Sequence, residues 1–110
     1  MYTVTKRIEV SGAHFLILPY ESKCKNLHGH NWIIYVTCRR EELDACGMVI
    51  DFVKIKEIVN QLDHTNINNV LGDVNPTAEN IARWLHDKIP YCVRVEVQES
   101  EGNIAIYESQ

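Results

Sequence analysis

Two histidines separated by one glycine, His28-Gly29-His30, open an apolar, β-branched segment that runs from Trp32 to Cys38. In an extended strand alternate side chains share a face, which sets two such residues roughly 6.6 Å apart at their Cα atoms. That separation lets two imidazole nitrogens reach one metal ion, and Gly29 places no side chain between them. A third imidazole, His14, ends the first alternating stretch of the chain, and Cys24 stands just upstream of the pair. Three neutral imidazoles leave one tetrahedral position open, the pattern of a catalytic rather than a structural zinc. Such a zinc keeps its double positive charge and polarises an oxygen bound to it. The structural alternative is a set of ordinary turn histidines. The His-x-His spacing at a strand start, with a third His and a Cys close by, favours the metal.

Further residues suit proton transfer and ligand binding. A thiol near a divalent cation or an imidazolium has a lowered pKa, and its thiolate acts as base or nucleophile. Cys24 lies in a polar loop and fits that role, whereas Cys38 and Cys92 fall within predicted strands and read as packing residues. Asp63-His64 follows the apolar end of a predicted helix at Leu62. A carboxylate there can fix an imidazole's tautomer and favour its charged form. A histidine that satisfies helix carbonyls is the structural alternative. Glu99 shares parity with Tyr91, Val93, Val95 and Val97 and so continues an apolar face, where an unpaired carboxylate is costly. A planar ligand edge with adjacent N–H donors would satisfy both its oxygens. Alternatively the strand has ended and Glu99 is turn surface. His86, on the polar face of a helix, reads as solvated.

The elements that must position these groups follow from periodicity. Tyr2, Val4, Ile8 and Val10 share one parity and predict a first strand, with Ser11-Gly12-Ala13 as a bulge or bend before His14. His30 to Arg40 predicts a second strand. Its Trp32, Ile34, Val36 and Cys38 share a face, while Ile33 and Tyr35 make the other face partly apolar. Asp51 caps a predicted helix through Leu62 with Phe52, Ile55, Ile58, Val59 and Leu62 inward. Asn75-Pro76-Thr77 starts a second helix, striped by Ala78, Ile81, Ala82, Leu85 and Ile89 and stopped at Pro90. Two strands joined at Glu101-Gly102-Asn103 close the chain. The expected fold class is α+β: a four-stranded antiparallel sheet with two helices on one face, in the order ββααββ. Open sheet edges and an apolar outer face predict a homo-oligomer in which sheets join.

Composition narrows the function classes. A chain of 110 residues predicts a single domain, 1–110, with a thin core. Eleven basic against 15 acidic residues give a net charge of -4, and without a basic run this argues against a nucleic-acid surface. The four cysteines have no CxxC spacing, so neither a disulfide scaffold nor a zinc ribbon is expected. No apolar run is long enough for a signal or membrane segment, and a cytoplasmic location with reduced thiols is expected.

Taken together, Cys24-x-x-x-His28-Gly29-His30, Ala13-His14, Leu62-Asp63-His64, Pro76-Thr77-Ala78-Glu79-Asn80 and Glu99-Ser100 ahead of Tyr107 resemble the 6-pyruvoyltetrahydropterin synthase family. The likeness spans nearly the whole chain and is nearest to bacterial 6-carboxytetrahydropterin synthases of the queuosine pathway. It implies a tunnelling fold (T-fold) that assembles as trimers, commonly stacked as hexamers, with sites at subunit interfaces. It implies one Zn2+ per subunit on His14, His28 and His30. Cys24 would be the proton-transferring thiol, assisted by Asp63 and His64, and Glu99 would grip the pterin edge. The implied reaction converts 7,8-dihydroneopterin triphosphate to 6-carboxytetrahydropterin, acetaldehyde and triphosphate. The short gap between Cys24 and His28 matches the queuosine-pathway enzymes, since animal-type pyruvoyl synthases have a longer one. Val10-Ser11-Gly12 departs from the family's usual Phe-Ser-Ala, Trp32 replaces a common Tyr, and Ser100 stands where Thr is usual. Three alternatives stay open: a pyruvoyl-forming synthase that eliminates triphosphate without carbon–carbon cleavage, a zinc-binding module without turnover, and a carbonic-anhydrase-like hydrolase. The last has no use for Cys24 or Glu99.

Overall fold

The long hairpin that carries the histidines dominates the architecture. In a computed structural model, which describes residues 1–109, β1 (Tyr2–His14) pairs antiparallel with β2 (His28–Arg40). The ladder runs without a break from Tyr2 opposite Arg40 to His14 opposite His28. The bulge expected at Ser11-Gly12-Ala13 is therefore absent. Gly12 instead leaves room for a third element: an added Cβ would lie 2.8 Å from Ile67 Cδ1 and 3.2 Å from the Leu62 carbonyl oxygen.

After β2 the chain runs through α1 (Phe52–Val59), β3 (Thr65–Asn66), α2 (Ile67–Leu71), α3 (Ala78–Lys88), β4 (Cys92–Ser100) and β5 (Asn103–Glu108). Short 3-10 turns occupy Lys23–Lys25 and Asn60–Leu62. The sheet order is β3-β1-β2-β4-β5, with β3 parallel to β1 and the other pairs antiparallel. The expected four-stranded antiparallel sheet with two helices is thus, among the described residues, a mixed five-stranded sheet with three helices. The added strand is two residues long and the added helix five, both too short to leave a periodic signature.

Local chemistry explains the element ends. The Asp51 carboxylate accepts from the Val53 amide at the start of α1, and the Thr77 hydroxyl accepts from the Asn80 amide at the start of α3. The expected helix to Leu62 is α-helical only to Val59 and tightens to a 3-10 turn beyond. Ile55, Ile58, Val59 and Leu62 are buried as expected, but Phe52 faces out and meets the Lys6 ammonium over its ring. Trp32, Ile34, Val36 and Cys38 of β2 are fully buried beneath the helices with Val10, Ile81, Leu85, Val95 and Val97. The opposite face keeps Ile33 and Tyr35 half-buried. A register shift beside Cys38 moves the inward parity of β4, so that Cys92 is buried and Tyr91 is exposed. Beyond that shift Val95, Val97 and Glu99 share the helix side. Among the described residues no helix is long and apolar enough to cross a membrane.

Candidate metal centre

The β1–β2 register brings the three histidines together. His14 is the cross-strand partner of His28, and His30 lies opposite Gly12. The His14 ring centroid lies 4.7 Å from that of His28 and 5.2 Å from that of His30, while Trp32 packs edge-on against His14 at 4.9 Å. Trp32 is itself fixed by an indole N–H donated to the Gly12 carbonyl at 3.1 Å. His14 is fully buried, the single polar side chain so placed among the described residues.

Backbone carbonyls set the tautomers. His14 donates Nδ1–H to the Pro76 carbonyl at 2.7 Å, and His28 donates Nδ1–H to the Asn26 carbonyl at 2.6 Å. Each bond leaves the Nε2 lone pair free and orients the ring, the usual support for a metal-binding imidazole. The Nε2 atoms of His14 and His30 are buried with no hydrogen-bond partner. Orphaned buried nitrogens are costly unless something binds them. One donor atom from each of His14, His28, His30 and Glu99 lies within 4.8 Å of the others, a set that fits a divalent cation. Burial holds the pKa of His14 and of His30 below the usual imidazole value, with the Pro76 carbonyl and Glu99 pulling His14 back upward and Glu99 alone doing so for His30. Neutral imidazoles are the form that ligates.

Glu99 reaches this cluster from β4. Its Oε1 lies 3.2 Å from His14 Nε2 and 3.4 Å from His30 Nε2, and its side chain is 29% exposed. It is therefore not turn surface, and among the described residues it faces the two imidazoles and pairs with no Lys or Arg.

Cys24 and the Asp63–His64 pair lie on different sides of His30. Cys24, on the 3-10 turn, lines a cavity of about 270 Å³ with Lys23, His28 and His30. His64 opens instead onto a cavity of about 410 Å³ with Gly12, Gly29, His30 and Thr65. The Asp63 carboxylate accepts from the Ser11 amide at 2.8 Å and lies 3.0 Å from His64 Nδ1. The Ser11 amide first, and the His64 contact after it, hold the Asp63 carboxyl below the usual range. His64 has φ +56°, and its own amide donates to the Ser11 carbonyl at 2.6 Å, which swings an 82% exposed imidazole outward. Helix carbonyls are not its partners. His86, expected to be merely solvated, bonds both Asp87 and the Ser109 hydroxyl. Cys38 and Cys92 are buried cross-strand partners. The bond to Cys92 and burial push the Cys38 thiol far up, as befits packing residues.

The groups that orient the imidazoles leave no trace in the sequence. The Pro76 and Asn26 carbonyls are backbone atoms and leave no compositional trace. Gly12 opposite His30 was visible only as a possible bend.

The family model described as 6-pyruvoyl tetrahydropterin synthase matches residues 3–110. A 6-carboxy-5,6,7,8-tetrahydropterin synthase of Synechocystis sp. is 35% identical over 121 residues, covering 97% of this chain and 93% of that protein. One of Rickettsia felis is 31% identical over 132 residues, covering 99% and 95%. The solved structure of the Caenorhabditis elegans 6-pyruvoyl tetrahydropterin synthase superposes with a TM-score of 0.77 at 26% identity, covering 99% of this chain and 96% of that one.

Proposed function

Because this chain belongs to the 6-pyruvoyl tetrahydropterin synthase family, we propose that it is a zinc-dependent 6-carboxy-5,6,7,8-tetrahydropterin synthase. It is a lyase that converts 7,8-dihydroneopterin triphosphate and one water to 6-carboxytetrahydropterin, acetaldehyde and triphosphate, the water supplying the carboxylate's added oxygen. The observation that supports this reading is the convergence of imidazole nitrogens from His14, His28 and His30, with the Nε2 atoms of His14 and His30 buried and without a hydrogen bond. Those three residues would hold the zinc, and Cys24, beside the cluster rather than in it, is left free to move protons.

When bound, zinc would supply Lewis acidity to the substrate's side-chain hydroxyls, acidifying the adjacent C–H. The remaining roles belong to the chain. The Cys24 sulfur takes a proton from the substrate side chain, and the electron pair released expels triphosphate. His64, held by Asp63, exchanges protons on the other side. Glu99 grips the pterin edge once its carboxylate turns away from the two Nε2 atoms it faces. Because Cys24 and Asp63–His64 flank His30 through separate cavities, we place the complete site at a subunit interface of a homo-oligomer, a trimer or hexamer. Exposed Ile104 and Ile106 on the edge strand β5 suit such pairing. We assign the reaction to queuosine biosynthesis in the cytoplasm.

The test is product analysis. Zinc-loaded protein incubated with dihydroneopterin triphosphate should release acetaldehyde together with a product of the mass of 6-carboxytetrahydropterin. The structural likeness to the nematode pyruvoyl synthase favours one second reading, triphosphate elimination alone. That reaction gives a product retaining every side-chain carbon and no acetaldehyde. Stoichiometric zinc with neither product would leave a binding module.

A further inference from the structure

We propose that Lys23 seats the triphosphate end of the substrate beside the metal centre. The proposal rests on the substrate assigned above and adds a binding residue to it. Lys23 lines the same cavity of about 270 Å³ as Cys24, His28 and His30. Its backbone is fixed from several sides. The Ser22 hydroxyl accepts from the Cys24 amide at 3.2 Å, the Lys23 carbonyl accepts from the Asn26 amide at 3.0 Å, and the Cys24 carbonyl accepts from the Leu16 amide at 2.8 Å. The turn is thus held while the Lys23 side chain stays exposed at the cavity mouth.

Its charge is uncompensated. The neighbouring Lys25 is 3.4 Å from Glu21, Arg7 is 3.9 Å from Glu9, Arg83 is 3.8 Å from Asp87, and Arg94 is 3.3 Å from Glu96. Lys6, Arg40 and Lys88 lie over aromatic rings. Among the described residues no carboxylate lies within ion-pair distance of Lys23; the same holds for Arg39, Lys54 and Lys56, but of these four only Lys23 lines the cavity with Cys24, His28 and His30. In a chain of net charge -4, a free ammonium beside a cluster built for a dication runs against the overall field. It points to an anionic ligand there.

The chemistry of the substrate supplies that anion. Its hydroxyls would face the histidines and its phosphates are attached to the same short side chain, so both must leave through one mouth. In the elimination the carbon–oxygen bond breaks with its electron pair departing on the triphosphate oxygen, while the neighbouring carbon gives its proton to the base. An ammonium offers three donors to phosphate oxygens and counters that growing charge.

The experiment compares zinc-loaded wild-type protein with Lys23→Ala and Lys23→Arg. It reads kcat and KM on dihydroneopterin triphosphate, calorimetric affinity for inorganic tripolyphosphate, and affinity for dihydroneopterin without phosphates. One lost charge-assisted phosphate contact should raise KM and the tripolyphosphate Kd about 10–100-fold in Lys23→Ala. Lys23→Arg should recover most of this, with zinc content and unphosphorylated pterin binding unchanged. Equal tripolyphosphate affinity in wild type and Lys23→Ala would overturn the proposal. So would an equal loss of unphosphorylated pterin binding, which would assign Lys23 to the folding of the turn. Should wild-type protein fail to turn over the triphosphate, the enzyme reading falls, while the tripolyphosphate comparison still decides Lys23.

Discussion

The two flanks of His30 are built on opposite principles. On the inner side, His14 and His28 are each held by a backbone carbonyl and packed against Trp32 or another imidazole, His14 fully buried and His28 half-buried. On the outer side, His64 is 82% exposed and Asp63 sits at the surface beside the Ser11 amide. The buried half is preorganised within one chain, as metal ligands need to be. The outer half presents its groups to whatever arrives, substrate or neighbouring subunit. The imidazole cluster, which could hold a metal ion, is thus assembled within one chain, whereas Cys24 and His64, the groups proposed to transfer protons, line two separate cavities.

Perturbing each half should separate them. The largest effect is expected in the buried half. His28→Ala or His30→Ala should weaken zinc binding by at least about 100-fold, read as metal content after dialysis against a chelator. Retained stoichiometric zinc would mean the cluster is not the site. Next, Cys24→Ala should lower turnover about 10²–10⁴-fold with zinc content unchanged. Joint loss of zinc and activity would move Cys24 into the ligand set and erase the distinction.

Smaller effects test the supports. Gly12→Ala inserts a Cβ 2.8 Å from Ile67 Cδ1 and should cost about 1–3 kcal/mol in urea denaturation. In the metal-free protein, burial keeps the folded pKa of His14 and His30 below 6.5, so the unfolded chain binds protons first as pH falls. Stability should therefore be full above that value and decline below it, and His14→Gln should flatten the decline. The Asp63 carboxyl, held below 3.8, acts at more acid pH. Its contribution is present above that value and is lost as pH falls through the folded value. Asp63→Asn should remove this last, shallow dependence while leaving the histidine-driven decline intact.

Much of this contrast was legible in the sequence because it rests on parity. The alternation of β1 and β2 and the His-x-His spacing are short-range patterns, and they were enough to bring His14, His28 and His30 together. The alternation of β4 also placed Glu99 on the inner face, although the register shift beside Cys38 reversed the roles of Tyr91 and Cys92. What stayed hidden is either too short or not a side chain. The two residues of β3 carry no period, the positive φ of His64 depends on where the chain must turn, and the carbonyls of Pro76 and Asn26 belong to the backbone. Gly12 looked like a flexible joint, but its small size, rather than its freedom to bend, is what the fold uses.

Cobalt titration of the metal-free protein probes the convergence of His14, His28 and His30 most directly. One equivalent of Co2+ should bind with the intense visible bands of a four-coordinate, nitrogen-rich site and no sulfur-to-metal charge-transfer band, leaving Cys24 fully reactive to a thiol reagent. A charge-transfer band with a protected Cys24, or no saturable binding, would contradict it.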